Sequence, residues 1–160
     1  MLYTRYHCPL NAHTVVVAII YKHLSTLQWL RAVGCDWDTR AFVVAINQKS
    51  LALVQWLHAH KCPWDARAYV AAIGAESLEI LHYLHQNGCP ADETVCAATA
   101  RENSVVLLQW LHKRKFPWGP STTDAAVQRG HKEFFLWALH QGCKCNVITR
   151  RTAVKLKWIL

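Results

Sequence analysis

An all-α solenoid of stacked helix-turn-helix units is the fold class that three observations predict. One motif returns every 27 residues without insertion or deletion: Trp29, Trp56, Tyr83, Trp110 and Trp137 keep that spacing, as do Cys8, Cys35, Cys62, Cys89, Phe116 and Cys143. Each period holds two runs of apolar residues at helical spacing, such as Phe42, Ala45, Ile46 and then Leu51, Val54, Leu57. No segment alternates apolar and polar residues as a half-buried strand would. A fixed period of about 20 to 50 residues is the mark of stacked supersecondary units. It argues for an extended surface and against one unique catalytic pocket.

The elements follow in order. Met1 to Cys8 reads as the tail of a second helix. Full units run Asn11–Cys35, Asp38–Cys62, Asp65–Cys89, Asp92–Phe116 and Gly119–Cys143. Asn146–Leu160 supplies a sixth first helix, after which Leu156, Trp158, Ile159 and Leu160 begin its partner. Asn11, Asp38, Asp65, Asp92 and Asn146 stand where the first helix of each unit needs an acceptor for its orphan N–H groups. Ser50, Ser77 and Ser104 stand at the same place for the second helix. Gly34, Gly88 and Gly142 follow the second helix, where the left-handed conformation is common; Lys61 and Lys115 fill that place in other units. Pro9, Pro63, Pro90 and Pro117 then prevent the helix from continuing. The whole chain, residues 1–160, reads as a single repeat domain.

The segment Gly130-His131-Lys132-Glu133-Phe134-Phe135-Leu136-Trp137-Ala138-Leu139-His140-Gln141-Gly142-Cys143 resembles the second helix of an ankyrin repeat, whose pattern is Gly-His-Leu-Glu, apolar pairs, then Gly-Ala. First helices such as Ala68-Tyr69-Val70-Ala71-Ala72-Ile73 fall where that family carries Thr-Pro-Leu-His-x-Ala-Ala, although Thr-Pro-Leu-His itself is absent. The style is similar to the short, divergent ankyrin units common in protists and large DNA viruses. Ankyrin units usually have about 33 residues. With the helices in register the shortfall lies between units, so Cys62-Pro63-Trp64-Asp65 leads into the next helix with no β-hairpin finger. The resemblance implies that first helices line a concave recognition face.

Composition limits the function classes. Hydrophobic residues make up 52% of the chain, enough for a packed core, and no apolar run approaches the roughly 18 residues of a membrane span. No basic stretch followed by an apolar segment opens the chain, so the sequence reads as intracellular, cytoplasmic or nuclear. Five of seven cysteines share one repeat position, and stacked units set equivalent residues about 8–10 Å apart. Disulfides need Cα atoms within about 7 Å, so the register cysteines are expected to be reduced, small and buried. The formal charge of +8 is confined to residues 113–160, which hold ten Lys/Arg against Asp124 and Glu133; residues 1–112 balance eight against eight.

Candidate chemistry is sparse. His58, His85 and His112 each stand four residues before Cys62, Cys89 or Phe116. Such a pair supplies two zinc ligands where a structural site wants four, and Phe116 breaks the series; packing is the plainer reading. A repeated Cys–His pair also does not make a specialised nucleophile. No catalytic residues, metal ligands or cofactors are therefore expected, and the chain is not expected to be an enzyme. Trp37, Trp64 and Trp118, in the loop after the second helix, either cover the seam between units or offer rings to nucleic-acid bases.

Two functions remain. The first is a protein-interaction scaffold whose partner, an unidentified protein, meets the variable polar residues of the first helices: Arg40, Asn47, Gln48, Arg67, Arg101, Glu102, Gln128 and Arg129. Gly74-Ala75 occupies the equivalent place in the third unit and leaves a small flat gap. The second is a module for nucleic acid or an acidic partner, using the basic residues Lys113, Arg114, Lys115, Arg150, Arg151, Lys155 and Lys157. Uncovered ends also favour self-association or a longer array.

Overall fold

The computed structural model describes residues 10–160, so the expectations for residues 1–9, Cys8 and Pro9 among them, lie outside it. Among the described residues there are eleven α-helices and no strand. They are α1 Ala12–Ile20, α2 Leu24–Ala32, α3 Arg40–Asn47, α4 Leu51–Ala59, α5 Ala66–Gly74, α6 Leu78–Gln86, α7 Glu93–Arg101, α8 Val105–Lys113, α9 Pro120–Arg129, α10 Lys132–His140 and α11 Val147–Lys155. The chain divides into two compact bodies, one ending at Trp64 and the other running from Asp65 to Leu160. In the first, α1 pairs with α2 and α3 with α4, and the first helices α1 and α3 pack on each other. In the second, the first helices α5, α7, α9 and α11 pack in succession, while α6, α8 and α10 each lie against the first helix of their own unit.

A row of small residues explains this close packing of first helices. Ala18, Ala45, Ala72, Thr99, Ala126 and Ala153 share one repeat position, and all six are buried. A short side chain there lets neighbouring backbones approach. Thr99, the polar member, donates its hydroxyl to the Cys96 carbonyl at 2.7 Å, so its own buried polar group is paired. The second helices supply the large side chains: Leu27, Val54, Leu81, Leu108 and Phe135 at one position, and Leu30, Leu57, Leu84, Leu111 and Ala138 at the next buried one. Each large one contributes about 1.5–3 kcal/mol when fully buried.

One turn geometry ends every helix. After α4, Lys61 adopts φ 62°. Its N–H bonds the His58 carbonyl, while the Cys62 N–H reaches back to the Leu57 carbonyl, both at 3.0 Å. The same pair of bonds recurs after α3, where Lys49 has φ 53° and Ser50 N–H reaches the Ala45 carbonyl. The expected left-handed residues Gly34, Lys61, Gly88, Lys115 and Gly142 all take that conformation. A second left-handed series, Lys22, Lys49, Glu76, Asn103, Gly130 and Lys157, closes the first helices.

The capping expectations hold with two corrections. Asn11, Asp65, Asp92 and Asn146 accept backbone N–H groups at the start of their helices. Asp38 accepts the Arg40 N–H at 2.9 Å, although the helix proper begins one residue later than in its counterparts. Ser50 and Ser104 cap their helices, whereas Ser77 makes no side-chain cap bond. The end of the chain also differs. Leu156 caps the end of α11, Lys157 takes the left-handed conformation that closes the other first helices, and Trp158, Ile159 and Leu160 follow it without forming a helix. Trp158 instead packs on Phe135, their ring centroids 5.7 Å apart.

Candidate interaction surface

Among the described residues, the repeated cysteine has a structural task in every unit that carries it. It directly follows the left-handed residue, and its thiol is turned back to the residue that opens its own unit's first helix. Cys35 Sγ donates to the Asn11 carbonyl at 3.4 Å, Cys62 to Asp38 at 3.7 Å, Cys89 to Asp65 at 3.5 Å and Cys143 to Gly119 at 3.3 Å. All four are unpaired with one another and buried, as expected. Burial pushes the Cys62 and Cys89 thiols up to about 12, with Asp38 and Asp65 adding to the effect, and Cys143 up to about 11. Such thiols stay protonated, remain hydrogen-bond donors and are poor nucleophiles. Phe116 replaces the thiol with a ring set edge-on to Tyr69 at 5.1 Å.

The loop tryptophans are packed and only half-exposed. His58 stacks on Trp64 at 4.1 Å, and His112 lies against Trp118 at 4.3 Å. At the same repeat position Arg31 sits over Trp37 at 4.7 Å. Two of the rings then reach toward the following unit: Trp37 meets Trp56 at 6.1 Å, and Trp118 meets Trp137 at 6.2 Å. Trp64 packs back on Phe42 at 5.2 Å. These contacts place Trp37 and Trp118 over seams between units, and each of the three rings has a histidine or arginine partner. His85 has no loop tryptophan beside it and lies 5.4 Å from Phe116; burial, then Arg114 and His82, push its pKa down. Among the described residues no three His, Cys, Asp or Glu side chains come together as a metal-binding group.

The polar residues of the first helices separate into two sets. Arg40 and Arg67 are engaged near the helix starts, each bound to its own capping carboxylate, Asp38 or Asp65, at 2.8 Å. Asn47 closes α3, Arg101 and Glu102 close α7, and Gln128 and Arg129 close α9; all of these side chains are exposed. Because α7 and α9 pack on each other in register, Arg101, Glu102, Gln128 and Arg129 form one polar patch. Gln48 is turned inward. Its amide donates to the carbonyls of Ile19 and Ile20 at 3.2 and 2.9 Å, which closes the end of α1. In the first body the register also places Ile20 and Tyr21 beside Asn47, 48% and 67% exposed. Those two apolar residues were legible as the counterparts of Asn47 and Gln48, but a search for polar recognition residues passes over them. At Gly74 an added Cβ would meet nothing within 4 Å, consistent with an open gap at that register position.

The basic residues lie on two different rows. Lys113, Arg114 and Lys115 end the second helix α8, where Arg114 lies over the Trp110 ring at 3.9 Å. Arg150, Arg151 and Lys155 project from the first helix α11, with Lys157 in the turn beyond it; all are exposed.

Two grooves complete the surface and are related by the repeat. One, of ≈ 230 Å³, opens between the first two units beside Lys22, His23, Leu24 and Trp56. The other, of ≈ 610 Å³, opens between the third and fourth units beside Glu76, Leu78, Val106 and Trp110. The next equivalent place, between the fourth and fifth units, is occupied by His131, whose Nδ1 lies 2.7 Å from the Ala100 carbonyl.

No family model matches the chain, and no curated protein matches it. In structure it is similar to the pentatricopeptide repeat protein PPR10 from maize, with a TM-score of 0.53 at 17% sequence identity. The match covers 94% of this chain and 27% of that one, so the chain spans about a quarter of the length of the structure it matches. The likeness establishes a helical-repeat solenoid fold. No helix among the described residues is long and apolar enough to cross a membrane.

Proposed function

We propose that the chain is a non-enzymatic protein-interaction scaffold, one repeat domain of short ankyrin-like units without fingers, which binds a protein partner through the exposed ends of its first helices. The observation that carries this reading is the contrast between constant and variable positions. Side chains fixed by the repeat are consumed by structure, as thiols bonded to carbonyls or rings packed over seams. Asn47, Arg101, Glu102, Gln128 and Arg129 differ between units, stay exposed, and lie at the ends of the closely packed first helices of their own bodies. Variation on a fixed frame is how repeat proteins present a recognition surface. Ile20 and Tyr21 add the apolar component that interface centres favour. Arg40 and Arg67 contribute less, being held by Asp38 and Asp65, and Gln48 acts by closing α1.

The second reading, a module for nucleic acid or an acidic partner, draws on the basic end. Helical repeats can read single-stranded RNA one base per repeat, so the test is direct. Labelled single-stranded and duplex RNA are titrated with the protein by fluorescence anisotropy across a salt series. The scaffold reading predicts weak, sequence-independent binding that falls steeply with salt and vanishes when Lys113, Arg114 and Lys115 become Glu. Tight, sequence-selective binding lost when Asn47, Arg101 and Arg129 become Ala would transfer the function to nucleic acid.

A further inference from the structure

Helix α11 breaks the pattern of residue types on the face where earlier first helices meet their neighbours. The position held by Tyr69, Cys96 and Thr123, all buried, is Arg150 on α11. The next, held by Val70, Ala97 and Asp124, is Arg151. Both arginines are exposed and make no ion pair with any described residue. Val154 takes the place of Ile73, Ala100 and Val127, all buried, yet is 45% exposed; Val147 is 67% exposed. These residues and Lys155 line one shallow groove. The opposite side of α11 is anchored: Asn146 Nδ2 donates to both oxygens of Asp124 at 2.8 and 2.7 Å, the Thr149 hydroxyl donates to Asp124, and Ala153 is buried.

A first helix as apolar as its predecessors cannot cover this face, since it would bury guanidinium groups without partners. A helix bearing carboxylates can. We propose that this face of α11 docks an acidic amphipathic helix of a partner protein, laid along α11 as the first helices pack on one another. Its apolar residues would rest on Val147 and Val154, two turns and about 10.5 Å apart along the axis, and its carboxylates would meet Arg150, Arg151 and Lys155. The proposal rests on reading the chain as a binding scaffold but uses none of the residues at the first-helix ends.

Three other occupants fit less well. A second copy of this chain offers no such helix, because none of its described helices carries more than one Asp or Glu. Nucleic acid would leave Val147 and Val154 unmatched and finds no ring in the groove on which a base stacks. An anionic membrane favours a helix whose apolar and basic faces are separate, whereas on α11 Arg150 and Arg151 flank Val154 and Val147, so that charge borders the apolar strip on both sides.

The full chain is titrated with a synthetic helical peptide carrying Leu at positions i and i+7 flanked by Glu, with the same peptide bearing Gln for Glu, with single-stranded and duplex RNA, and with vesicles containing phosphatidylserine. The Glu peptide is expected to bind. Its affinity should fall by on the order of tenfold or more with Gln for Glu, with Arg150→Glu plus Arg151→Glu, and with Val147→Ser plus Val154→Ser. Replacing Asn47, Arg101 and Arg129 by Ala should leave it unchanged, which separates this site from the first-helix ends. All four altered residues of α11 are exposed, and circular dichroism with thermal melting verifies that the variants remain folded. The proposal is overturned if the Glu peptide does not bind, if its binding ignores the valine substitutions, or if RNA or vesicles bind the same residues more tightly.

Discussion

Replacing Lys49, Lys61 and Lys115 by Gly should stabilise the protein, although each change removes a side chain. The three lysines have φ 53°, 62° and 58°, and all three side chains are exposed. A non-glycine residue held in the left-handed region costs roughly 1–2 kcal/mol; against this, glycine loses about 0.5–1 kcal/mol more backbone entropy on folding. Between the middles of these two ranges the net gain is about 0.5–1 kcal/mol per site. The sites lie in different turns, so the gains should add to about 1.5–3 kcal/mol. At about 2–4 °C per kcal/mol for a chain of this size, the triple variant should melt roughly 3–12 °C higher. Gly88→Ala and Gly142→Ala, at φ 72° and 83°, should each cost about 1 kcal/mol. Thermal melting followed by circular dichroism, with urea unfolding as a second probe, reads both sets. A triple variant no more stable than the parent, alongside a neutral Gly88→Ala, would refute the turn geometry that defines the repeat.

Three further outcomes follow from the core, the thiols and the last helix. Leu111→Ala, at a side chain with no solvent exposure, should cost about 2–5 kcal/mol in urea unfolding; a loss below 1 kcal/mol would mean the second-helix row is not core. The Cys62 and Cys89 thiols are raised from 9.0 to about 12 in the fold, so the native state holds protons that the unfolded chain releases. That contribution is fully present below pH 9, is lost as pH rises from about 9 to 12, and should shrink in a Cys62→Ala, Cys89→Ala variant; an unchanged alkaline melting profile would count against it. Asp124→Ala removes the acceptor of Asn146 and Thr149 and should cost about 1–3 kcal/mol, with faster amide exchange across residues 147–155. Equal exchange there would show that α11 is held by other contacts.

The period itself carries most of the fold. Once Trp29 to Trp137 and Cys35 to Cys143 are aligned, the helix pairs, the caps at Asn11, Asp65, Asp92 and Asn146, and the left-handed place of Lys61 and Lys115 all follow, because each is a local demand of the backbone. The left-handed residue closing each first helix was harder to see, since only Gly130 announces it and Lys22, Lys49, Glu76 and Asn103 adopt it without a glycine. The candidate surface was legible to a lesser degree. Gln48 meets carbonyls 28 and 29 residues away, a tertiary contact that no local pattern reveals. The capture of Arg40 and Arg67 by carboxylates two residues earlier was, by contrast, written in the Asp-x-Arg spacing. The flanking of Val147 and Val154 by Arg150 and Arg151 acquires meaning only when α11 is laid on α9 and its outward face is known.

The most direct test of the scaffold account is quantitative affinity capture from the native cell with three forms of the protein. They are the parent, a form with Asn47, Arg101, Glu102, Gln128 and Arg129 replaced by Ala, and a form with Lys113, Arg114 and Lys115 replaced by Glu. The account predicts a protein partner that the parent retains, the alanine form loses, and the charge-reversed form keeps at equilibrium while associating more slowly. Retention by the alanine form together with loss on charge reversal, or capture of nucleic acid in place of protein, would contradict it.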